Sequence, residues 1–202
     1  LKTPLSVIRL IAQKNGCQAD YKKISQSAGQ IQYDLDQVLN MYKLDAIQND
    51  FHVERVSLRQ IAKDSINELK SSFIEKGVFP KLDVEEHLMV YSDSKWLRFV
   101  LHQLLTNALK YSDSGKTIAV RAYTTQEAVV LSVEDSGCGI QPEDIPRIFD
   151  LFFTGQNGRL RGESTGLGLY MVKQILDYLG HSIQVDSTVG VGSKFQISFE
   201  KR

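Results

Sequence analysis

The stretch EAVVLSVEDSGCGI, residues 127–140, combines a buried strand with a glycine turn. Apolar residues recur at alternate positions from Val129 to Val133, which is the period of a strand with one buried face. Asp135 continues the alternation, so its carboxylate is predicted on the inner face, where a charge is costly unless it is paired. Gly137 and Gly139 follow, where the chain turns and another group approaches the backbone closely. A purine amine suits such a carboxylate as a donor, whereas an Asx-type turn explains the same residues by local structure alone.

The pattern on both sides of this strand predicts a mixed α and β domain. The stretch KTIAVRAYTT (116–125) alternates in the same way, so the two strands form a hairpin. Amphipathic helices are predicted over 58–77, where Gly77 ends the helix, over 94–112, and after the glycines at 166–168. This order favours an α/β sandwich, with helices on one face of a mostly antiparallel or mixed sheet. The remaining predicted strands are 51–57, 79–84, 87–92, 181–188 and 192–200.

The first 47 residues show helical periodicity only, and they predict a separate domain over 1–48, followed by a second domain over 49–202. Spacings of four and three residues indicate a heptad seam that needs a partner helix. Two such helices form an antiparallel hairpin, which either dimerises into a four-helix bundle or packs on the rest of its own chain. The seam residues are Leu1, Leu5, Ile8 and Ala12 in the first helix, and Ile24, Ala28, Ile31, Leu35, Val38 and Tyr42 in the second.

Two further features are suited to a phosphorylated ligand. The loop GESTGLGLYM (162–171) runs into a helix, whose N-terminal N–H groups form a ready site for phosphate. On the helix over 94–112, Gln103, Asn107 and Lys110 are spaced four and three residues apart and form one polar stripe. An amide oxygen there suits Mg²⁺ and a lysine suits phosphate oxygens, although a solvated helix face explains the stripe equally well. The chain has neither a P-loop nor a dinucleotide-binding glycine motif.

Net charge, apolar run length and cysteine spacing argue against several classes of function. The formal net charge is zero, which argues against a nucleic-acid partner. No stretch approaches the roughly 18 consecutive apolar residues of a membrane span. Cys17 and Cys138 lie far apart without metal-type spacing, so both are read as reduced thiols.

Five motifs together resemble a known family. QLLTNALKYS (103–112), DSGCGI (135–140), FDLFF (149–153), STGLGL (164–169) and GVGSKF (190–195) are similar, in order and spacing, to the N box, first G box, F box, second G box and third G box of bacterial sensor histidine kinases. The resemblance implies an α+β fold: a dimerising helical hairpin, then an α/β sandwich of the gyrase, chaperone, histidine kinase and mismatch-repair ATPase type. The segment FTGQNGR followed by STGLGLY further resembles the short-sensor group linked to peptide-antibiotic transporters.

The resemblance also implies cofactors and site residues. ATP and Mg²⁺ are the implied cofactors, with Asn107 coordinating the metal. Gln103 stands where the family usually has an asparagine that orients the phosphoryl group. Residues from about 153 to 166 are implied to form a lid, anchored by phenylalanines at 149, 152 and 153, although residues of this type are equally suited to the core. The implied nucleotide-binding residues are Asn107, Lys110, Tyr111, Asp135, Gly137, Gly139, Ile140, Arg159, Arg161, Thr165, Gly166, Leu167, Gly168, Leu169 and Ser193.

The opening LKTPL (1–5) resembles the end of the family's H box. The resemblance implies a phosphoaccepting histidine two positions before Leu1, and places Thr3 where the family has a residue that acts in dephosphorylation. His102, in HQLLT (102–106), lacks the following proline and is not expected to be phosphorylated. We therefore expect this chain to bind nucleotide and dimerise without phosphorylating itself.

The resemblance implies a longer parent protein that passes its phosphoryl group to an aspartate of a response-regulator receiver domain. This chain is then expected to be the cytoplasmic part of that parent, whose other segments lie in the bacterial membrane. Two alternatives stay open: a nucleotide-binding pseudokinase or phosphatase-only scaffold, and another ATPase of the same superfamily.

Overall fold

A computed structural model of the chain describes residues 51–155 and 165–200, together with the single positions 24, 28, 29, 31 and 158. The chain divides into two compact units, Leu1–Ile47 and Gln48–Arg202. Most of the hairpin predicted over 1–48, its dimerisation and the lid around Arg159 and Arg161 lie outside the described residues. Thr3 lies outside them too, and all of these stay predictions.

The second unit is built from seven strands and four helices in the part that the structure describes. The strands are β1 (Glu54–Ser57), β2 (Phe79–Asp83), β3 (Met89–Ser92), β4 (Thr117–Thr124), β5 (Ala128–Asp135), β6 (Ser182–Thr188) and β7 (Gly192–Glu200). The helices are α1 (Leu58–Glu68), α2 (Lys70–Lys76), α3 (Ser94–Tyr111) and α4 (Gly168–Tyr178), and a short 3-10 turn covers Ile145–Arg147.

Five of these strands form one mixed sheet in the order β2-β4-β5-β7-β6. Only β2 pairs in parallel with its neighbour, and the other three pairs are antiparallel. The predicted hairpin of β4 and β5 is confirmed, with Ile118 opposite Asp135. β1 and β3 form a separate two-stranded antiparallel sheet. The predicted α+β class with a mostly antiparallel or mixed sheet is therefore confirmed.

The helix predicted over 58–77 is two helices. At Leu69 the backbone leaves the helical region, with φ −94° and ψ 8°, and α2 begins one residue later. On a helix of 3.6 residues per turn, apolar residues that recur every four positions shift around the helix axis by about 40° at each step. The break at Leu69 changes the direction of the chain, so that both Leu69 and Phe73 are buried.

The core lies between the sheet and α3. The predicted apolar face of α3, formed by Leu97, Leu101, Leu104, Leu105 and Ala108, is wholly buried. Each fully buried leucine of this kind contributes about 1.5–3 kcal/mol, so the position of α3 is set mainly by burial. The helix α4 also packs against this sheet, through its buried apolar residues Met171, Val172, Ile175 and Leu176.

The start of α3 is held by Asp93, which is 5% exposed. Its Oδ1 accepts the Trp96 N–H at 3.0 Å, which caps the helix, and its Oδ2 accepts the His52 N–H at 2.8 Å. The ring of Phe51 lies 5.8 Å from the Trp96 ring and 5.9 Å from the Tyr178 ring of α4. The segment that enters the second unit is thus attached to α3 and α4 together.

Replacing Asp93 tests this attachment. We expect Asp93→Ala to lower the free energy of unfolding by about 1–2 kcal/mol, because the helix cap is lost and a second N–H loses its acceptor. Urea denaturation followed by far-UV circular dichroism measures the change. Asp113→Ala, at an exposed position, is the control, and equal midpoints for both variants would contradict the assignment.

Candidate functional site

The C-terminus of α3 meets the glycine turn that follows β5. The carbonyl of Tyr111 accepts the Cys138 N–H at 3.3 Å. A Cβ atom placed on Gly137 would lie 2.4 Å from the Tyr111 oxygen and 2.8 Å from Asp135 Oδ1. No side chain fits there, so the glycine allows the helix end and the turn to touch.

The turn between β6 and β7 closes the other side of this glycine turn. Gly139 has φ +71°, and a Cβ on it would lie 2.2 Å from the Thr188 oxygen. The Gly190 N–H donates to the Cys138 carbonyl at 2.8 Å, and the Ile140 N–H donates to Ser187 Oγ at 2.8 Å. Residues 136–140 are therefore held between α3 on one side and the β6–β7 turn on the other.

Asp135 lies at the centre of this arrangement and is 8% exposed, as the alternation along β5 predicts. Its Oδ1 accepts the Gly137 N–H at 2.8 Å, so the Asx-type turn left open by the sequence is present. Burial raises the pKa of the Asp135 carboxyl, and the nearby charge of Glu134 raises it further. Hydrogen bonds from the backbone N–H groups of Gly137 and Ser193 lower the same pKa and so oppose this rise. The carboxylate thus has a desolvation cost that a further hydrogen-bond donor would offset.

Ser193 lies opposite Asp135 in the β5–β7 pairing. Its Oγ lies 3.0 Å from Ser187 Oγ, and Ser187 Oγ also donates to the Gly192 carbonyl at 3.0 Å. Ser187 was not identified from the sequence. It occupies one ordinary position of an alternating strand, and nothing in that pattern indicates that its hydroxyl supports a distant turn.

The loop before α4 forms a second part of the site. Thr165 Oγ1 accepts the Leu167 N–H at 3.4 Å, and the Gly166 carbonyl accepts the Phe152 N–H at 3.1 Å. No side chain caps the N-terminus of α4. The N–H groups of residues 168–170 begin the helix and so have no intrahelical acceptor. This end of α4 is suited to an anion, as the sequence predicts.

The polar stripe of α3 reaches this loop. Gln103 is 3% exposed, so the alternative of a solvated helix face is wrong for this residue. A Cβ on Gly168 would lie 2.8 Å from Gln103 Oε1, which places the amide against the first residue of α4. Asn107 and Lys110 are half-buried further along α3, with Lys110 Nζ 5.9 Å from the centre of the Tyr111 ring.

One helix therefore connects the two parts of the site. Gln103 lies at the part beside α4, and Tyr111 lies at the part beside Asp135. These two residues are eight positions apart on the helix, which corresponds to about 12 Å along its axis. This spacing favours an elongated ligand with a hydrogen-bonding ring at one end and anionic groups at the other.

The aromatic residues of the FDLFF segment occupy different environments. Phe152 is 62% exposed and has φ +61°, while Phe149 and Phe153 are half-buried. The Arg147 guanidinium lies 4.6 Å from the centre of the Phe153 ring and bonds to Asp150 at 3.4 Å. The sequence left open whether these phenylalanines anchor a lid or fill the core. Exposure excludes the core for Phe152.

His102, on the side of α3 that faces α1, carries no sign of a special role. Burial lowers the pKa of its imidazole, and the charge of Glu68 opposes this effect. Thr106 Oγ1 donates to the His102 carbonyl at 2.7 Å, which is an ordinary contact within a helix.

Within the described ranges, no group of three or more His, Cys, Asp or Glu side chains is placed to hold a metal ion. Asn107, half-buried on α3, has an amide oxygen of the kind that Mg²⁺ binds. Among these same residues, no helix is both long and apolar enough to span a membrane.

Comparison with known proteins gives one family. Residues 92–202 match the model described as "Histidine kinase-, DNA gyrase B-, and HSP90-like ATPase". The chain is 40% identical over 201 residues to the sensor histidine kinase YxdK of Bacillus subtilis, covering 98% of this chain and 61% of that protein. It is 37% identical to the sensor protein BceS of Bacillus subtilis, covering all of this chain and 60% of that protein. The chain thus spans about three fifths of the curated relatives it matches.

Solved structures share the fold at lower identity. The histidine kinase AdeS of Acinetobacter baumannii matches with a TM-score of 0.78 at 21% identity, over 98% of this chain and 95% of that one. Full-length ShkA in complex with AMPPNP matches with a TM-score of 0.75 at 22% identity, over 96% of this chain and 42% of that one. Histidine kinase ThkA, in complex with the response regulator TrrA, matches with a TM-score of 0.77 at 19% identity, over 100% of this chain and 58% of that one.

The contact at Gly137 yields a prediction about stability. Gly137→Ala should lower the free energy of unfolding by about 1–3 kcal/mol, because its methyl group collides with the backbone of Tyr111. Chemical denaturation measures the loss. Gly29→Ala is the control, because a Cβ there meets nothing within 4 Å. A loss no larger at Gly137 than at Gly29 would show that the helix end and the turn are not in contact.

The pKa of Asp135 yields a second prediction. Because the folded state raises this pKa, the folded chain binds the proton more tightly than the unfolded chain does, and the contribution of Asp135 to stability falls as the pH rises through the window between the two values. The wild type should therefore lose stability relative to Asp135→Asn as the pH rises from about 3.9, the ordinary Asp value, towards neutrality. Denaturation of both proteins across this range measures the difference, and a constant difference would contradict the raised pKa.

Proposed function

Since this chain belongs to the histidine kinase-, DNA gyrase B- and HSP90-like ATPase family, we propose that it binds ATP with Mg²⁺ and is the catalytic core of a two-component sensor histidine kinase. The observation that carries the proposal is the buried Asp135, held between the end of α3 and two glycine turns. The family assignment supports ATP as the nucleotide, and the AMPPNP complex named for ShkA supports this class of ligand.

In this proposal Asp135 accepts a hydrogen bond from the exocyclic amine of adenine. Its carboxylate is desolvated and held in orientation by the N–H groups of Gly137 and Ser193. A purine amine then replaces the water that burial excludes, and the preset orientation reduces the ordering cost of binding. Gly137, Gly139 and Ile140 shape the pocket wall through the turn that they form, and Ser193 lies opposite Asp135 in the β5–β7 pairing.

The phosphates lie at the other part of the site. The N–H groups of Gly168 and Leu169 at the start of α4 donate to phosphate oxygens, and the loop Thr165–Gly166–Leu167 lets them approach. Lys110 and Tyr111 contact the nucleotide from α3, and Asn107 supplies an amide oxygen to the metal. Mg²⁺ contributes neutralisation of phosphate charge and alignment of the transferred group. Arg159 and Arg161 are proposed as phosphate contacts on the resemblance alone.

The longer parent protein is proposed to transfer the γ-phosphoryl group to its own histidine, two positions before Leu1, and then to an aspartate of a response regulator. The resemblance of LKTPL to the H box supports the acceptor position and gives Thr3 its proposed role in dephosphorylation. The name of the ThkA–TrrA complex supports a response-regulator partner by analogy. Dimerisation through residues 1–48, the short-sensor subgroup and a membrane-bound parent remain part of this proposal.

A second candidate is a nucleotide-binding scaffold that does not transfer phosphate. The position of Gln103 favours it, because its amide packs against Gly168 at the buried α3–α4 contact. A group committed to that contact is less available to orient a transferred phosphoryl group. Another ATPase of the superfamily is disfavoured by the heptad seam that precedes the ATPase unit.

The test compares the chain with the longer protein that carries residues before Leu1. Binding of ATP is measured by titration calorimetry, and phosphorylation by acid-labile incorporation of label from γ-labelled ATP. Asp135→Asn should weaken ATP binding by about tenfold or more, because a charged acceptor is replaced by a neutral amide. Glu127→Gln is the matched control, since this carboxylate is exposed at the position just before β5 and far from Asp135 along the strand.

Label that appears only in the longer protein, and that Asp135→Asn removes, supports the kinase. Nucleotide binding without label in the longer protein favours the scaffold. Unchanged binding in Asp135→Asn would overturn the proposed adenine site.

A further inference from the structure

The C-terminus of α3 ends without a glycine cap. Its C-cap residue, Ser112, is extended, with φ −86° and ψ 149°. A helix that ends in this way leaves its last four carbonyl groups without the partners that a continuing helix would supply. Three of those carbonyls belong to Leu109, Lys110 and Tyr111, the segment that carries the adenine end of the proposed site.

Each of these three carbonyls nevertheless has a donor. The last regular helical bond runs from the Ser112 N–H to the Ala108 oxygen at 3.0 Å, and the Cys138 N–H donates to the Tyr111 oxygen at 3.3 Å. The carbonyls of Leu109 and Lys110 accept from a side chain of another helix, α2. Lys76 Nζ donates to the Leu109 oxygen and, at 2.8 Å, to the Lys110 oxygen.

The backbone beside Lys76 is attached to the same region. Lys76 is the last residue of α2, and Gly77 caps that helix in the left-handed conformation. The Gly77 carbonyl accepts the Gly115 N–H at 2.8 Å, and the Phe79 N–H donates to the Lys116 carbonyl at 2.9 Å. The base of the lysine is thus joined to the α3–β4 loop by backbone bonds, which reduces the freedom that its side chain loses on bonding.

Charge adds to these hydrogen bonds. The aligned peptide dipoles of α3 place partial negative charge on its last carbonyls, and a partly buried ammonium group there is stabilising. Lys76 therefore opposes fraying of the turn that presents the Tyr111 carbonyl to Cys138. Fraying would release the contact at Gly137 and the turn that orients Asp135.

We propose that Lys76 is a positioning residue for nucleotide binding: its ammonium group holds the last turn of α3, and through the Tyr111 carbonyl it holds the glycine turn beside Asp135. This inference rests on the proposed function, because it assigns Lys76 to the adenine end of that site. Lys76 acts through the helix end, so its effect is independent of the number of phosphates on the nucleotide.

The experiment measures binding of ATP and of ADP by titration calorimetry to the wild-type chain and to Lys76→Met. The neutral side chain should weaken both nucleotides by the same factor, about tenfold, as expected for loss of a charge-assisted hydrogen bond. Lys76→Arg, which keeps the charge and several donors, should restore most of the affinity. Lys70→Met is the matched control, because it makes the same change at an exposed position in the first turn of α2.

Amide hydrogen exchange of the nucleotide-free proteins provides an independent readout. The peptide that contains Cys138 should exchange faster in Lys76→Met than in wild type and Lys70→Met, while the peptide covering β7 should not change. If Lys76→Met does not fold, Lys76→Gln, which keeps a neutral donor on a shorter arm, is compared in the same way. Its affinity for ATP and for ADP should be lower than that of wild type by one common factor, and wild-type affinity would overturn the proposal.

Three results would overturn the proposal: wild-type affinity in folded Lys76→Met, a loss confined to ATP, or unchanged exchange at Cys138. A lower melting temperature with unaltered affinity would assign Lys76 to stability alone. If the wild type binds neither nucleotide, the proposed function fails, and the exchange of Cys138 still decides whether Lys76 holds the turn.

Discussion

The Tyr111 carbonyl touches the turn at Gly137, and this contact holds the other parts of the site in place. A helix end and a strand end meet there with room for a hydrogen atom but not for a methyl group. Because the helix end is fixed, the Cys138 N–H has an acceptor, and because the turn is fixed, the Asp135 carboxylate has one orientation. Small changes at this contact are therefore expected to act on ligand affinity as well as on stability.

The helix α3 is held at both of its ends. Asp93 caps one end and also holds the entering chain segment at His52, while Lys76 bonds to the carbonyls at the other end. Between these ends the apolar face is buried against the sheet, so the helix behaves as one rigid element. A single element thus sets the separation between the carboxylate that suits a purine and the helix N-terminus that suits phosphate.

The sequence predicts a large part of this arrangement. Alternation along β5 places Asp135 on the inner face, and the glycines after it indicate where the backbone is closely approached. The helix over 58–77 shows the limit of such reasoning, because its apolar spacing allows a continuous helix, and only packing requires the break at Leu69. Gln103 shows the same limit, since helical spacing groups it with Asn107 and Lys110 but does not reveal that Gly168 lies against it.

Local pattern is enough to predict most of the elements and their order, the inward carboxylate and the five motifs that indicate the family. These features depend on periodicity and on residue types at short spacing along the chain. Which distant groups meet is visible only in the folded chain: Lys76 bonds to the end of α3, 33 residues away, and Ser187 to Ile140, 47 residues away. Periodicity specifies the face on which a side chain lies, but the partner on that face depends on how the elements cross and how the loops close.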